Sequence, residues 1–540
     1  MSRPNPAFLA VFLSYVVIST AAAALLKGGL YLGQHEGDTL HLIDIINRLA
    51  SGERIHQDFM TPLGILAFWP IEVFVGLGFG YGMAMHFAQA LVAAVLLPAI
   101  WWVSYSRMTR LWAYTFGGIT LVMVTALVHG TGELTTSMSM HYNRWAWALT
   151  FIAIPLALLP PKGTVRPMLD GVLIGLALAG MALIKATYFL SFMPVIAIVL
   201  LAKRGFATLL AAVLAGLVVA IGTVLVGGMG YVEGYIQDLI AVSQSTIRGD
   251  PGLPVAALIV SPNYLGGTLL AIAGLIFLRQ SGASVAGLAV ILLLPGFIFV
   301  TYQNFGNDRV WLFLLAVVLL MLRPDPGVLN SRGWDLRTAL TLTAVAGLAI
   351  IFPSLTNLTT SSLRHLGTPN NGKVALLDGP AKRPDVFVPV MRGEDILVRT
   401  SAALGQTDGE AIDPKFGSFV PVAFGEDRYA PCLLLSGTRT WFSTIAEDMQ
   451  AHGLTDGRLV FTADTLSPLP LYSDVPILPG GAPWYYGGLS GFENADIMVV
   501  PRCALDLDVR NGVLKDLADR AGQMTKLRDT QHYVAYLIGR

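Results

Sequence analysis

The sequence predicts a polytopic α-helical membrane protein with a small C-terminal α/β domain. Three observations predict it. The 540 residues are 54% hydrophobic and only 13% charged, whereas a soluble domain carries about 25% charged residues. Long apolar runs recur from the N-terminus to about residue 353. Beyond that point the apolar runs shorten to strand length and charges return. Mean hydropathy is +0.63. The formal net charge is zero, so nothing calls for a nucleic-acid partner.

The first run, Phe8 to Leu26, is longer than the apolar part of a signal peptide and reads as a retained first helix. Ten more runs follow, giving eleven predicted spans: 8–26, 81–104, 111–128, 145–160, 168–184, 188–202, 206–228, 263–278, 284–302, 309–322 and 338–353. Positive charge orients them, because Lys and Arg are retained in the cytoplasm. With the N-terminus inside, the inner segments are "MSRPNP", "SRMTR", "PPKGTVR", "AKRG", "RQSG" and "RPDPGVLNSRGWDLR", each short and basic. An odd count then places the C-terminus outside. The segment "PLGILAFWPIEVFVGLG" (62–78) is also apolar. If it crossed, every later basic loop would change sides, so it reads as a broken juxtamembrane or re-entrant segment interrupted by Pro62 and Pro70.

The expected division is a membrane domain over 1–353, with a large outer loop at 27–80, and an α/β domain over 354–540. The linker reads as "LTNLTTSSLRHLGTPNNGK". Within the tail, "PCLLLSG", "GRLVFTAD" and "ADIMVVPR" read as buried strands, while "TWFSTIAEDMQAHG" and "VLKDLADRAGQMTKL" have helical periodicity. Strand–helix–strand order predicts a partly parallel sheet. No G-x-G-x-x-G loop follows a strand, so no dinucleotide site is expected. Cys432 and Cys503 are the two cysteines of the chain. Both fall in the tail, where a bridge and two separate buried thiols are the alternatives.

Four polar groups map to the outer side. The first loop holds "GQHEGDTLHL" (33–42), with His35, Glu36, Asp38 and His41. "DTLHLIDIINRLASGE" reads as an amphipathic helix lying at the membrane surface, with Leu40, Ile43, Ile46 and Leu49 on its apolar face. Asp38 at its start either caps the helix or does chemistry; Glu36 is harder to explain as a cap. Asp58 follows the helix in "IHQDFMTPLG". "MHYNRWAWAL" places His141, Asn143 and Arg144 at a span's outer end, where the alternatives are interface anchoring and function. Lys185 in "LIKATYF" sits in a tight outer turn, and intramembrane charge is a functional hypothesis by default. "TYQNFGNDRVW" packs Gln303, Asn304, Asn307, Asp308 and Arg309 between two spans. Carboxylates suit a base that activates an acceptor hydroxyl. The cations Arg144, Lys185 and Arg309 suit a leaving phosphate. His35, Glu36, Asp38 and His41 are alternatively ligands for a divalent metal, although their spacing matches no closed motif.

The stretch "HEGDTLHLIDIINRLASGERIHQDFMTPLG" resembles the first outer loop of the C-type membrane glycosyltransferases (GT-C superfamily), such as protein O-mannosyltransferases and aminoarabinose transferases. These open that loop with an acidic pair, followed by a helix and a D-F-x-x-P-like segment. The resemblance covers the membrane half in topology and the first loop in motif. Here the usual adjacent pair is replaced by Glu36-Gly37-Asp38, which leaves open which carboxylate is the base. The resemblance implies a GT-C-like fold and an inner-membrane glycosyltransferase of bacteria, with the N-terminus cytoplasmic and the tail periplasmic. It implies a sugar donor on a polyprenyl phosphate, a glycan, lipid or protein acceptor of the envelope, and inversion at the sugar carbon. In the tail, Gly480-Gly481, Trp484, Tyr485 and Tyr486 read either as a sugar or acceptor platform or as a Gly-rich turn over core aromatics. Two rivals have other sequence requirements. A transporter or flippase of lipid-linked sugars would need mid-membrane charges and inverted repeats. A non-enzymatic envelope scaffold would not need acidic residues at the membrane surface.

Overall fold

A computed structural model of the chain describes residues 3–130, 132–163, 165–245, 247, 260–303, 309–377, 384–400, 412–413, 417–418 and 421–539. Thirteen helices precede the tail among these residues: α1 (Pro6–Leu26), α2 (Glu36–Ala50), α3 (Trp69–Gly76), α4 (Tyr81–Arg107), α5 (Arg110–Thr125), α6 (His141–Leu158), α7 (Pro167–Ile184), α8 (Ala186–Ala202), α9 (Phe206–Ser243), α10 (Pro262–Gln280), α11 (Ser284–Tyr302), α12 (Trp311–Met321) and α13 (Leu336–Leu366). Seven of them, α1, α4, α7, α9, α10, α11 and α13, are long and apolar enough to cross a membrane. The other four predicted spans are helices too, α5, α6, α8 and α12, of 16, 18, 17 and 11 residues. α6 and α12 are buried almost all round, as expected of helices in the centre of a bundle.

The helix ends gather at two faces. At one, the Trp101 indole donates to Pro6 O (3.1 Å), Lys203 Nζ to Ala157 O (3.1 Å), and Asn330 Nδ2 to Gln280 Oε1 (3.1 Å). Lys162 N joins Ser106 O there at 2.7 Å. At the other, Gly33 N donates to Thr136 O (2.9 Å) and Gly64 N to Ile184 O (3.0 Å), Ser245 bonds Tyr486 O, and Arg309 stacks on Tyr264. Segment 62–78 forms a 3₁₀ turn (Ile65–Ala67) and α3. Eight helical residues rise only about 12 Å, so this stretch is too short to span.

The tail docks on the second face through shared structure. Strand β1 (Leu30–Tyr31), just after α1, pairs in parallel with β3 (Val386–Pro389), which also pairs with β2 (Lys373–Ala375). Asp385, beside β3, accepts from Gly82 N (3.0 Å) and Met83 N (2.8 Å), so a tail carboxylate satisfies the free amides that open α4. Gly80 and Gly82 make room for it: a Cβ at either would lie 2.4 Å from Asp385.

The remaining short elements are α14 (Val390–Gly393), β4 (Leu397–Thr400), β5 (Ile412–Asp413), β6 (Gly417–Ser418), β7 (Val422–Phe424), β8 (Asp427–Tyr429) and β9 (Cys432–Ser436). Then come α15 (Thr438–Ala451), β10 (Val460–Thr462), α16 (Leu469–Tyr472), β11 (Ile497–Pro501), α17 (Leu507–Asp516), β12 (Thr525–Asp529) and β13 (Tyr533–Leu537). The main sheet has the order β10-β11-β13-β12, with β10 and β11 parallel and β13 antiparallel to both its neighbours. Alternate residues face opposite layers. Val460, Ile497, Val499 and Ala535 cluster with Trp441, Ile445 and Met449 of α15; Phe461, Met498, Val500 and Val534 cluster with Val509 and Val513 of α17. Cys432 and Cys503 are joined by a disulfide, with Cα atoms 4.4 Å apart.

Four local expectations need correcting. α2 is not a surface helix, because Thr39, His41, Asp44 and Arg48 are buried along with its apolar face. The tail covers the polar side, where Arg48 donates to Leu478 O (3.2 Å). Asp38 is not the cap; the helix starts at Glu36 after a left-handed His35, and Asp38 is its third residue. The predicted linker is helical through Leu366. Its Thr356, Thr359 and Thr360 hydroxyls bond the carbonyl four residues back, so they accommodate the helix instead of ending it. Finally, the helix expected over 513–527 lies earlier. Asp506 caps it, accepting from Asp508 N (2.9 Å) and Val509 N (3.2 Å), and residues 525–529 become β12.

Candidate active site

The loop between α5 and α6 (126–140) is the floor on which the polar groups meet. Arg144, buried near the start of α6, holds it by donating to Ala126 O (3.0 Å), Ser139 O (3.5 Å) and Val128 O. From the other side, α13 holds it: Asn357 Nδ2 donates to Glu133 O (2.6 Å), and Ser361 Oγ accepts from Leu127 N (3.2 Å). The start of the first loop lies on this floor. Gly33 passes so close that a Cβ would sit 2.1 Å from Thr135. The His35 ring stacks on His129 at 4.3 Å, and its Nδ1 is 3.2 Å from Ser137 Oγ. Burial, reinforced by the charges of His35 and Arg144, pushes the His129 imidazole down to about 4, leaving it neutral at pH 7.

Asp38 completes the arrangement. The Ser139 hydroxyl donates to Asp38 Oδ2 at 2.7 Å, while the Ser139 carbonyl receives Arg144. One serine therefore joins the carboxylate to the guanidinium. Lys185 lies in a one-residue extended break between α7 and α8 (φ −158°, ψ 106°) and reaches the start of α6. Its Nζ is 3.4 Å from Asn143 Oδ1 and 5.5 Å from the Tyr142 ring. Gln303 Oε1 accepts from Thr187 Oγ1 (3.4 Å) beside this break. Arg309 lies over the Tyr264 ring at 4.5 Å. Asn304, Asn307 and Asp308 lie outside the described residues. A cavity of about 20 Å³ bounded by His129, Asn143, Arg144, Tyr188 and Val310 lies among these groups, room for about one water. Beneath the break, an almost wholly apolar groove of about 540 Å³ runs between α7, α8 and α9, with Ala182, Leu183, Phe189 and Tyr235 among its walls.

The other predicted residues go elsewhere. Glu36 is buried and paired twice with Arg392 of α14 (2.9 and 2.8 Å). Asp58 accepts from Arg54 N (2.7 Å) and closes its own turn. His141 donates to Ala67 O (2.8 Å), pinning the 3₁₀ turn to α6. Trp484, half-buried, packs against His41 at 5.2 Å, and Tyr485 and Tyr486 are buried. The suggested metal ligands diverge: His35 toward His129, Glu36 toward Arg392, Asp38 toward Ser139 and His41 toward Trp484. Among the described residues no three His, Cys, Asp or Glu side chains are grouped to hold a metal. Sequence reading missed Ser139 and His129, although "SMSMHYNRW" adjoins the basic span end that it did single out.

No protein-family model matches the sequence, and no curated protein matches it. Among solved structures, the chain is similar to the crystal structure of an oligosaccharyltransferase from Archaeoglobus fulgidus in complex with Zn and sulfate, at 12% identity and a TM-score of 0.30. The match covers 67% of this chain and 54% of that one, so the chain spans about half the length of the protein it matches. A likeness this slight leaves the family unassigned.

Proposed function

We propose that the protein is a membrane glycosyltransferase that moves a sugar from a polyprenyl-phosphate donor to a hydroxyl acceptor at the outer face of the membrane. The observation that carries this reading is the junction at Ser139, where the Asp38 carboxylate and the Arg144 guanidinium meet on one serine. Asp38 Oδ2 is held by Ser139, and Oδ1 is directed to the acceptor as the base. The acceptor oxygen bonds the sugar's anomeric carbon as the carbon–phosphate oxygen bond breaks. Asp38 takes the acceptor proton, and the bonding electrons leave with polyprenyl phosphate. The leaving charge is met by preorganised cations, whose worth is greatest where water is excluded. Lys185 and Arg309 supply the direct contacts. Arg144 contributes mainly its field, since its N–H groups serve loop carbonyls. Asn143 and Gln303 flank the cations and serve donor or acceptor hydroxyls. The groove below Lys185 takes the start of the lipid chain, being apolar and of ordinary ligand-site size. The four diverging side chains do not fit a metal, and no step uses one.

The reading includes the membrane topology. All eleven helices from α1 and α4 through α13 cross, with the first face cytoplasmic and the second face, including the tail, periplasmic in a bacterial inner membrane. The short α12 needs no full hydrophobic length, because neighbouring helices shield it from lipid. Purified protein should release polyprenyl phosphate from at least one lipid-linked sugar in a panel when envelope acceptors are present. Absence of release across the panel, with folded protein and confirmed lipid uptake, would refute the transferase reading and favour a lipid carrier.

A further inference from the structure

We propose that Tyr235 is a positioning residue that fixes the direction of Lys185, with the His56–Asp238 pair as its backing. The proposal rests on the reading of Lys185 as a phosphate contact and extends it to how that contact is held.

α7 and α8 are joined by a single residue, so the chain reverses at Lys185 with no loop to absorb it. Helix ends leave amides and carbonyls without helical partners, and here they find them outside the hairpin. The Tyr235 hydroxyl donates to Ala182 O (3.0 Å), three residues before Lys185, and accepts from Ala186 N (3.2 Å), one residue after it. One hydroxyl thus ties both limbs of the turn. Gly64 N donates to Ile184 O (3.0 Å) on the same turn; a Cβ on Gly64 would lie 2.2 Å from Leu183 O, so glycine is required for this approach.

Tyr235 is itself braced. It lies on α9 beyond the kink at Gly228, where φ is +75°. The His56 ring stacks on it at 4.4 Å, 25° from parallel. His56 Nδ1 is 2.7 Å from Asp238 Oδ2, which also accepts from Thr61 N (3.0 Å). A carboxylate only accepts, so the imidazole donates and its ring plane is set. Tyr231, beside Tyr235 on α9, meets His56 edge-on at 5.1 Å. Asp238, His56 and Tyr235 therefore form a rigid stack that ends on the backbone around Lys185. Tyr235 also walls the apolar groove, but its hydroxyl is engaged by Ala182 O and Ala186 N, so that hydroxyl acts on the phosphate contact through the backbone around Lys185.

The test uses the full chain in detergent micelles. Reductive methylation of Lys185 is followed by peptide mass spectrometry, with exposed Lys515 as internal reference, with and without polyprenyl phosphate. Tyr235→Phe removes both hydrogen bonds and keeps the ring. It should keep a cooperative melting transition, raise the Lys185 rate about tenfold over Lys515, and raise the polyprenyl phosphate needed for half-protection by about the same factor, within the net worth of the two lost hydrogen bonds. Unchanged Lys185 rate and unchanged protection in the folded variant would overturn the proposal. If the Phe variant does not fold, Asp238→Asn is held to the same criteria, with about threefold effects expected from a loosened His56. Should the phosphate fail to protect wild-type Lys185, the phosphate site falls, and the labelling rates alone still decide the role of Tyr235.

Discussion

Asp38 and Glu36 lie two residues apart and have different partners. Glu36 is buried against Arg392, whose guanidinium engages both of its oxygens. A carboxylate so engaged is a poor base, since a proton could reach it only by disrupting the pair. Asp38 is half-buried, and the Ser139 hydroxyl fixes one of its oxygens. Asp38→Asn should therefore cut turnover by about 10²–10⁴-fold, the usual worth of a general base, with little change in melting temperature. Glu36→Gln should do the reverse: turnover within a few fold, but stability lower by roughly 1.5–3 kcal/mol, the range for hydrogen bonds to a charged group. Sugar-transfer rates and thermal melts of both variants check this, and a Glu36→Gln enzyme as inactive as Asp38→Asn would restore Glu36 as a candidate base. The sequence made both carboxylates visible because they stand together in a polar run. It hid their partners, since Ser139 is 101 residues from Asp38 and Arg392 is 356 residues from Glu36. Contacts at that separation leave no periodic trace.

At the level of elements, apolar runs were legible and polar helices were not. Residues 355–366 read as linker because Ser, Thr and Asn favour turns. They are helical because the same groups serve the packed face of α13: Asn357 and Ser361 hold the backbone of the α5–α6 loop, and His365 accepts from Tyr31 N (3.0 Å). In the tail, α15 was legible from its period, but the clamp on it was not. Asp448 of α15 receives Arg528 of β12 through two bonds (3.0 and 2.7 Å) and the Tyr533 hydroxyl of β13 (2.7 Å). The Arg528 hydrogen bonds, helped by Tyr533, hold this carboxyl below its ordinary value despite partial burial. A carboxyl with a depressed folded value contributes stability above its unfolded value, about 4, and loses it as pH falls through the folded one. The tail's melting temperature should accordingly drop on acidification below about pH 4. In Asp448→Asn it should be lower at neutral pH and show a shallower drop, because that proton-linked contribution has been removed. Parallel pH curves for the two proteins would show that the clamp is not part of the acid response.

The whole molecule is organised by its two faces, and these decide how the four helices outside the seven long apolar ones are read. α5 leaves the face where Arg110 follows α4 and ends at Ala126, which Arg144 draws into the α5–α6 loop. α6 returns from His141 to the level of Lys162, bonded to Ser106 O. α8 runs from Lys185, beside Asn143 at the start of α6, to Lys203, whose amine reaches Ala157 O at the opposite end of α6. α12 starts beside Arg309, which lies over the Tyr264 ring, and ends near Arg323, which donates to Thr341 Oγ1 (3.1 Å) at the start of α13. Each of the four thus connects the same faces as the long helices. α6 is as long as α7, and the 11-residue α12 is almost wholly buried, so neighbouring helices shield the ends that its short apolar run does not cover. Seven crossings and eleven crossings both place the ends of the chain on opposite sides, so a terminal reporter does not separate them. The turn after α8 does. With eleven crossings Gly205 is cytoplasmic; with only the seven long helices crossing, α8 stays on one side and Gly205 is periplasmic. A reporter fused at Gly205 and active only in the cytoplasm should therefore be active, and a periplasm-only reporter there should be silent. The opposite pair of results would reduce the bundle to fewer crossings and separate the Lys185 turn from the face on which Asp38 works.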